Sequence, residues 1–252
     1  MRKKLIKTVS VISITIMICI MSFMALTSFA ETKNVVTSGQ IGLLYWSYSN
    51  GTLTIEGTGN MSNYSYSQPW QHLKDSIRKV VICEGVKSVG GSAFHNYDEI
   101  VSVSIANTVT KIDTHAFFDC DNLESVIIPD EVTKIDSSAF YSCDNLKSVV
   151  LSSRLKELGL HVFYDCVNLE SITLHEGLTS IGKGCFYNCN KLESVIIPTS
   201  VTSLGDNCFQ KCTSLTSVLL PPKLTAIPSY LFASCTALEE VVIGDKVTSI
   251  GS

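Results

Sequence analysis

The stretch Leu123-Glu124-Ser125-Val126-Ile127-Ile128-Pro129, continued by Val132-Thr133-Lys134-Ile135 and Ala139-Phe140-Tyr141-Ser142-Cys143, recurs along the chain every 23 residues. Phe94, Phe117, Phe140, Phe163, Phe186, Phe209 and Phe232 keep that interval without insertion or deletion. Leu123, Leu146, Leu169, Leu192, Leu215 and Leu238 form a second column in the same register. A fixed period of this length means stacked supersecondary units whose core runs from one unit to the next. It overrides the one or two globular domains that length alone would suggest.

Within a unit, alternation puts Val126 and Ile128 on the core side and Ser125 and Ile127 on the other, so this segment reads as a strand. Proline follows it at Pro129, Pro198 and Pro221. Lacking an N–H, proline fits where strand pairing stops. Val132 and Ile135 belong to two further inward columns, and the Ala-Phe segment is too short for an independent helix. One helical or 3-10 turn docked by its Phe is therefore expected there.

Upstream, Val80, Ile82, Val86 and Val89 fall in the same columns, so the array is expected over 77–252 with its last unit incomplete. Residues 31–76 read as an N-terminal β cap. Asn50-Gly51 between two alternating segments is a hairpin turn signal. Trp46, Tyr64, Tyr66 and Trp70 suit two roles, a sugar-stacking platform or a cover for the exposed end of the core; large aromatic area favours the cover.

The spacing Leu123-x-x-Val126-x-Ile128 with Val132–Ile135 and Ala139-Phe140-x-x-Cys143 resembles the BspA-like leucine-rich repeats of bacterial secreted and surface proteins. The first unit departs from it by Tyr97 at the Cys position. The resemblance implies a leucine-rich-repeat solenoid: parallel strands on a concave face, short helical or 3-10 turns and short extended segments on the other side, and an N-terminal β-hairpin cap. It also implies secretion or surface attachment, with adhesion as the activity of some members.

The first residues, Met1-Arg2-Lys3-Lys4-Leu5-Ile6-Lys7, precede an apolar run from Val9 to Leu26 and then Ser28-Phe29-Ala30. That order is a signal peptide over 1–30, cut after Ala30; the run is also long enough that an uncleaved anchor competes. Without the leader, 15 basic residues face 23 acidic ones, a net charge of −8. An acidic surface gives no counterion-release drive toward nucleic acid and no polybasic stripe for a membrane once the signal is removed.

Cys120, Cys143, Cys166, Cys189, Cys212 and Cys235 form a column, and Cys185 and Cys208 lie in a neighbouring one otherwise held by Ala, Val and Leu. Strand spacing does not exclude disulfides, but side chains in one column of a stack point in parallel, which favours packed thiols. Cys185, Cys189, Cys208 and Cys212 are repeat positions, not a turn free to wrap a zinc ion, so neither metal nor cofactor is expected. Asp119, Asp121, Asp144 and Asp165 read as loop caps. An active site needs unique residues, and nothing interrupts the repetition; the mixed column of His115 and His161 reads as surface.

No catalytic residue is therefore expected. The leading expectation is a secreted or cell-surface, adhesin-like module binding an extracellular protein or glycan through its strand face; the alternative is a passive spacer or fragment of a larger surface protein. The outward columns pair Ser125, Ser148, Ser171, Ser194 and Ser217 with Ile127, Val150, Thr173, Ile196 and Leu219. From Ile127 to Val242 the second column would make a stripe roughly 24 Å long. Its apolar members face water by alternation, which marks a contact surface, although β-branched residues also favour strands for backbone reasons. At the other end of the array, Val247-Thr248-Ser249-Ile250-Gly251-Ser252 opens a unit without its Phe and Cys, so self-association through that end is a further expectation.

Overall fold

The computed structural model describes residues 35–65 and 67–252. The leader assigned to 1–30 and Tyr66 lie outside the described residues. Three strands open the fold: β1 (Ser38–Ile41), β2 (Leu44–Ser49) and β3 (Thr52–Gly57), joined antiparallel. Asn50 and Gly51 both take positive φ, 47° and 77°, at the turn between β2 and β3. That is the two-residue hairpin turn expected of this dipeptide.

From β3 onward the chain coils. β3 and the two-residue β4 (Gly59–Asn60) pair in parallel with β5 (Lys79–Ile82) and β6 (Val86–Val89) respectively. The cap thus supplies the first half-coil of both sheets, and the ladders begin upstream of the repeat itself.

Each later unit repeats this pair of strands. The first sheet continues through β7 (Ser102–Ile105), and the second through β8 (Lys111–Ile112). The following units contribute β9 (Ser125–Ile127) with β10 (Lys134–Ile135), β11 (Ser148–Val150) with β12 (Glu157–Leu158), and β13 (Ser171–Thr173) with β14 (Ser180–Ile181). Register steps by one repeat: Ser148 lies between Ser125 and Ser171, and Val150 between Ile127 and Thr173. Columns of the sequence are therefore rows of touching side chains.

The third side is built from tight turns. Each Ala-Phe segment is flanked by two residues in the left-handed region, four apart, such as His115 and Asp119, Ser138 and Ser142, or His161 and Asp165. Their amides and that of the intervening Phe donate to the next coil: His115 to Ser137, Phe117 to Ala139 and Asp119 to Tyr141, at 2.8–3.2 Å. The same three bonds recur up to Lys211 and Ala233. Each turn is a single one, as expected, but the repeated left-handed residues prevent a continuous helix; among the described residues the one 3-10 segment is Gln71–Ser76, in the cap.

Within this triangle of ladders lies the core. The six rings from Phe94 to Phe209 are wholly buried and stack on their neighbours at centroid separations of 5.1–5.8 Å. Trp70 extends the column upstream: it is buried, stacks on Phe94 at 5.8 Å, and donates its indole N–H to the Ala93 carbonyl at 3.2 Å. Trp46 is also buried, edge-on to Trp70. These tryptophans cover the end of the core, so their faces are closed to a sugar.

The thiols sit beside the rings. Sγ of Cys120, Cys143, Cys166, Cys189, Cys212 and Cys235 each donates to the carbonyl of the Phe 26 residues upstream, at 3.0–3.3 Å. Cys185 and Cys208 are buried in the small-residue column. All nine described cysteines are unpaired. Burial pushes the Cys185 thiol up to about 12 and also raises those of Cys120 and Cys189 in the main column, which keeps them protonated and unreactive.

Candidate binding face on the first sheet

Of the ten residues singled out by alternation, the six from Ser125 to Thr173 lie on the outer face of the first sheet, and Ser194, Ile196, Ser217 and Leu219 continue the same two columns beyond its last strand. The hydroxyl column is exposed at Ser125, Ser171, Ser194 and Ser217, and half-buried at Ser148. Beside it, the fractional exposure is 69% at Ile127, 85% at Ile196 and 67% at Leu219, with Val150 and Thr173 also exposed. Large aliphatic side chains this open contribute nothing to the core, so the strands do not need them there for packing. The inward partners Val126, Ile128, Val149 and Leu151 are only 2% exposed, so adjacent residues on one strand have opposite surroundings.

The sheet is not continuous along this face. β13 ends the eight-stranded run, and residues 194–196, the next in register, make one isolated bridge from Ser194 to Ser217. The order resumes with β16 (Ser217–Leu219) paired to β18 (Glu240–Val242). An opening of about 260 Å³ lies at the break, lined by Ser171, Thr173, Ser194, Ile196 and the half-buried Ile172 and Leu174. Alternation indicated which side chains face out here, but gave no sign that the ladder parts.

A break in the second sheet has a visible cause. β15 (Ser203–Leu204) is its last strand, and β17 (Ala226–Ile227) pairs instead with β19 (Ser249–Ile250). In this sheet the amides of Gly182, Gly205 and Gly251 donate back one coil, to Leu158, Ile181 and Ile227. Position 228 belongs to the same column and is proline, with no N–H to give.

On the turn side, a second row of rings runs beside the buried one. Phe118, Tyr141, Tyr164 and Tyr187 stack almost parallel at 4.3–4.8 Å, with the Lys211 ammonium 5.1 Å from the Tyr187 ring centre. They are half-buried and present edges, not faces, to solvent. His115 and His161 pack edge-on to Phe118 and Tyr164, and burial lowers both imidazoles' pKa. Their column of His, Ser, Gly, Asn and Tyr is the left-handed position of each coil, a backbone reason for its mixed composition. The ring column was present in the sequence as Phe118, Tyr141, Tyr164 and Tyr187, one place after the buried Phe, and was missed because neighbouring positions in a turn do not alternate as in a strand.

Asp119 and Asp165 hold the other left-handed position. Burial lifts the Asp121 carboxyl to about 6, helped by the carboxylates of Asp144, Asp98 and Asp119. Among the described residues no three His, Cys, Asp or Glu side chains are gathered so as to hold a metal ion, and no helix is long and apolar enough to cross a membrane.

The model of the BspA type leucine rich repeat region matches residues 72–176 and 134–252, in six copies. The chain belongs to that family. Among solved structures, this leucine-rich-repeat protein is similar to a leucine rich cell surface protein from Faecalibacterium prausnitzii, 21% identical, covering 88% of this chain and 74% of that one with a TM-score of 0.61. A leucine-rich repeat protein from Bacteroides ovatus is also 21% identical, over 85% and 78% of the two chains, with a TM-score of 0.55. At that identity these likenesses show the fold alone. No curated protein matches the sequence.

Proposed function

We propose that this leucine-rich-repeat protein is a secreted or cell-surface, adhesin-like binding protein that contacts an extracellular protein or glycan through the outer face of its first sheet, without catalytic residue, metal or cofactor. The observation that carries the reading is the column of Ile127, Ile196 and Leu219, each more than three-fifths exposed and in register with a row of serine hydroxyls. Apolar surface held in water by a rigid scaffold is more often a contact surface than an accident. Family membership agrees with a binding scaffold, and the cell-surface description of the Faecalibacterium prausnitzii protein agrees with export.

The test is a pull-down of the exported chain against host-matrix and bacterial-surface fractions, repeated with Ile127, Ile196 and Leu219 together changed to Lys. The triple variant is expected to fold as the parent does and to lose the captured partner. Capture that survives in a folded triple variant removes the face from consideration. No capture by either protein favours a passive spacer.

A further inference from the structure

Successive strands of the first sheet are joined just before each hydroxyl column: the Lys147 amide donates to Glu124, Glu170 to Lys147, Thr216 to Glu193 and Glu239 to Thr216, at 2.9–3.2 Å. One step is missing. The Glu193 amide does not reach the Glu170 carbonyl, and among the described residues no backbone hydrogen bond or strand pairing joins 170–174 to 193–197. The same two coils stay locked elsewhere. On the second sheet Ser180 pairs with Ser203, and on the turn side Gly184, Phe186 and Asn188 donate to Asp206, Cys208 and Gln210 at 2.8–2.9 Å. The gap is therefore a wedge opened at one corner of an intact stack.

We propose that this wedge is a docking site for an extended, aliphatic peptide segment of a partner protein. The proposal rests on the reading of the first-sheet face as a contact surface and names where on it a partner engages. One lip is the edge strand β13, and the other is the segment 193–197, bridged to the following coil at Ser194; neither has a neighbour across the gap. Their free amide and carbonyl groups match the main chain of an incoming strand, the one ligand that offers both at the right repeat. The floor is apolar: Ile172 and Leu174 are half-buried, where the equivalent Val149 and Leu151 are closed, and Ile196 stands at the rim. About 260 Å³ is less than the ~300–1,000 Å³ of a small-molecule pocket, which favours one or two aliphatic side chains over a compact ligand. No aromatic ring lines the opening, which disfavours a sugar, and Glu170 at its edge disfavours an acidic segment.

Two measurements test this. Hydrogen exchange of the free protein is expected to be at least tenfold faster for the amides of Ile172, Glu193 and Ser194, which face the gap, than for those of Val149, Glu170 and Ser171, their equivalents one coil earlier; equal protection means the ladder is closed and overturns the site. Fluorescence anisotropy then uses a labelled Thr-Val-Ile-Val-Thr peptide and its backbone N-methylated analogue. The plain peptide is expected to bind, with at least tenfold loss for the methylated analogue and for Thr173→Arg, and no loss for Lys87→Ala, at an exposed position on β6 of the second sheet. Ser194→Arg at the opposite lip is the second variant should Thr173→Arg fail to fold. No peptide binding, equal binding of the methylated analogue, or unchanged binding with an arginine at the lip each overturns the proposal. So does binding of glycan-array sugars blocked by Thr173→Arg while the peptide stays unbound. If the peptide fails while partner capture still depends on Ile127 and Leu219, the wedge is excluded and the broader face reading stands.

Discussion

The Cys143 thiol donates a hydrogen bond to the main-chain carbonyl of Phe117, 3.2 Å away in the preceding coil. Cysteine combines two properties the position requires, an apolar body small enough to sit beside stacked rings and a weak donor for a buried carbonyl. Serine would be more polar and alanine would leave the carbonyl unanswered. Cys143→Ala is expected to cost about 1–3 kcal/mol, as for a buried acceptor deprived of its donor. Urea unfolding of the two proteins checks this, and an unchanged midpoint would remove the hydrogen bond from the account.

The same geometry predicts the redox state. The six thiols of the main column each donate to a carbonyl, and none of the nine described cysteines is bonded to another, so labelling of the denatured, non-reduced protein should count all nine from Cys83 to Cys235 as free. A count below four would mean that the column is oxidised.

Phe163 lies between Phe140 and Phe186 at 5.6 and 5.8 Å, with no exposed surface. Phe163→Ala is expected to lower stability by about 3–5 kcal/mol, the range for an aromatic truncated inside a packed core. Denaturant titration reads it directly, and a loss below about 1 kcal/mol would mean that neighbouring coils collapse into the space.

Gly184 holds φ +56 in the column where other coils carry His, Ser, Asn or Tyr, and a Cβ there would come within 2.6 Å of the His161 ring. Gly184→Ala should cost about 1–2 kcal/mol for the left-handed backbone alone. Thermal melting compared with an Ala substitution at the exposed Lys183 separates this strain from a general loss.

Asp121 gives a pH prediction with a definite sign. Its carboxyl is raised to about 6 in the fold, by partial burial first and by Asp144, Asp98 and Asp119 next, so above pH 6 the carboxylate opposes folding. Below its unfolded value, near 4, both states are protonated and the penalty is gone. Asp121→Asn should therefore raise the melting temperature at pH 7.5 and lose that advantage as pH falls from 6 to 4. Solvent screening at this half-buried site keeps the gain under about 1 kcal/mol. A gain independent of pH would assign the effect to something other than the charge.

The stack, its register and its core were legible because period 23 fixes which side chains touch: Phe117 meets Phe140 for the same reason that Leu123 precedes Leu146 in the column. The outward set from Ser125 to Leu219 was legible from strand alternation alone. Turn-side structure was hidden, since the residue types at His115, Ser138 and Gly184 have backbone conformation in common and no side-chain property. The parting beside Thr173 was hidden for another reason. Neither Ser171–Leu174 nor Ser194–Ile197 carries a residue unable to pair, unlike Pro228, and nothing in these segments explains the opening.

Two consecutive coil interfaces each lack one of the three ladders, the first sheet beside Thr173 and the second sheet beside Pro228. In the adhesive role proposed above, the protein would be pulled along its length, with load passing from coil to coil through whatever bonds cross each interface. At these two junctions fewer bonds share it. Under force the array should yield there first, shedding its last coils as a block while the Phe94–Phe163 stack stays folded, so that the protein lengthens stepwise before it lets go.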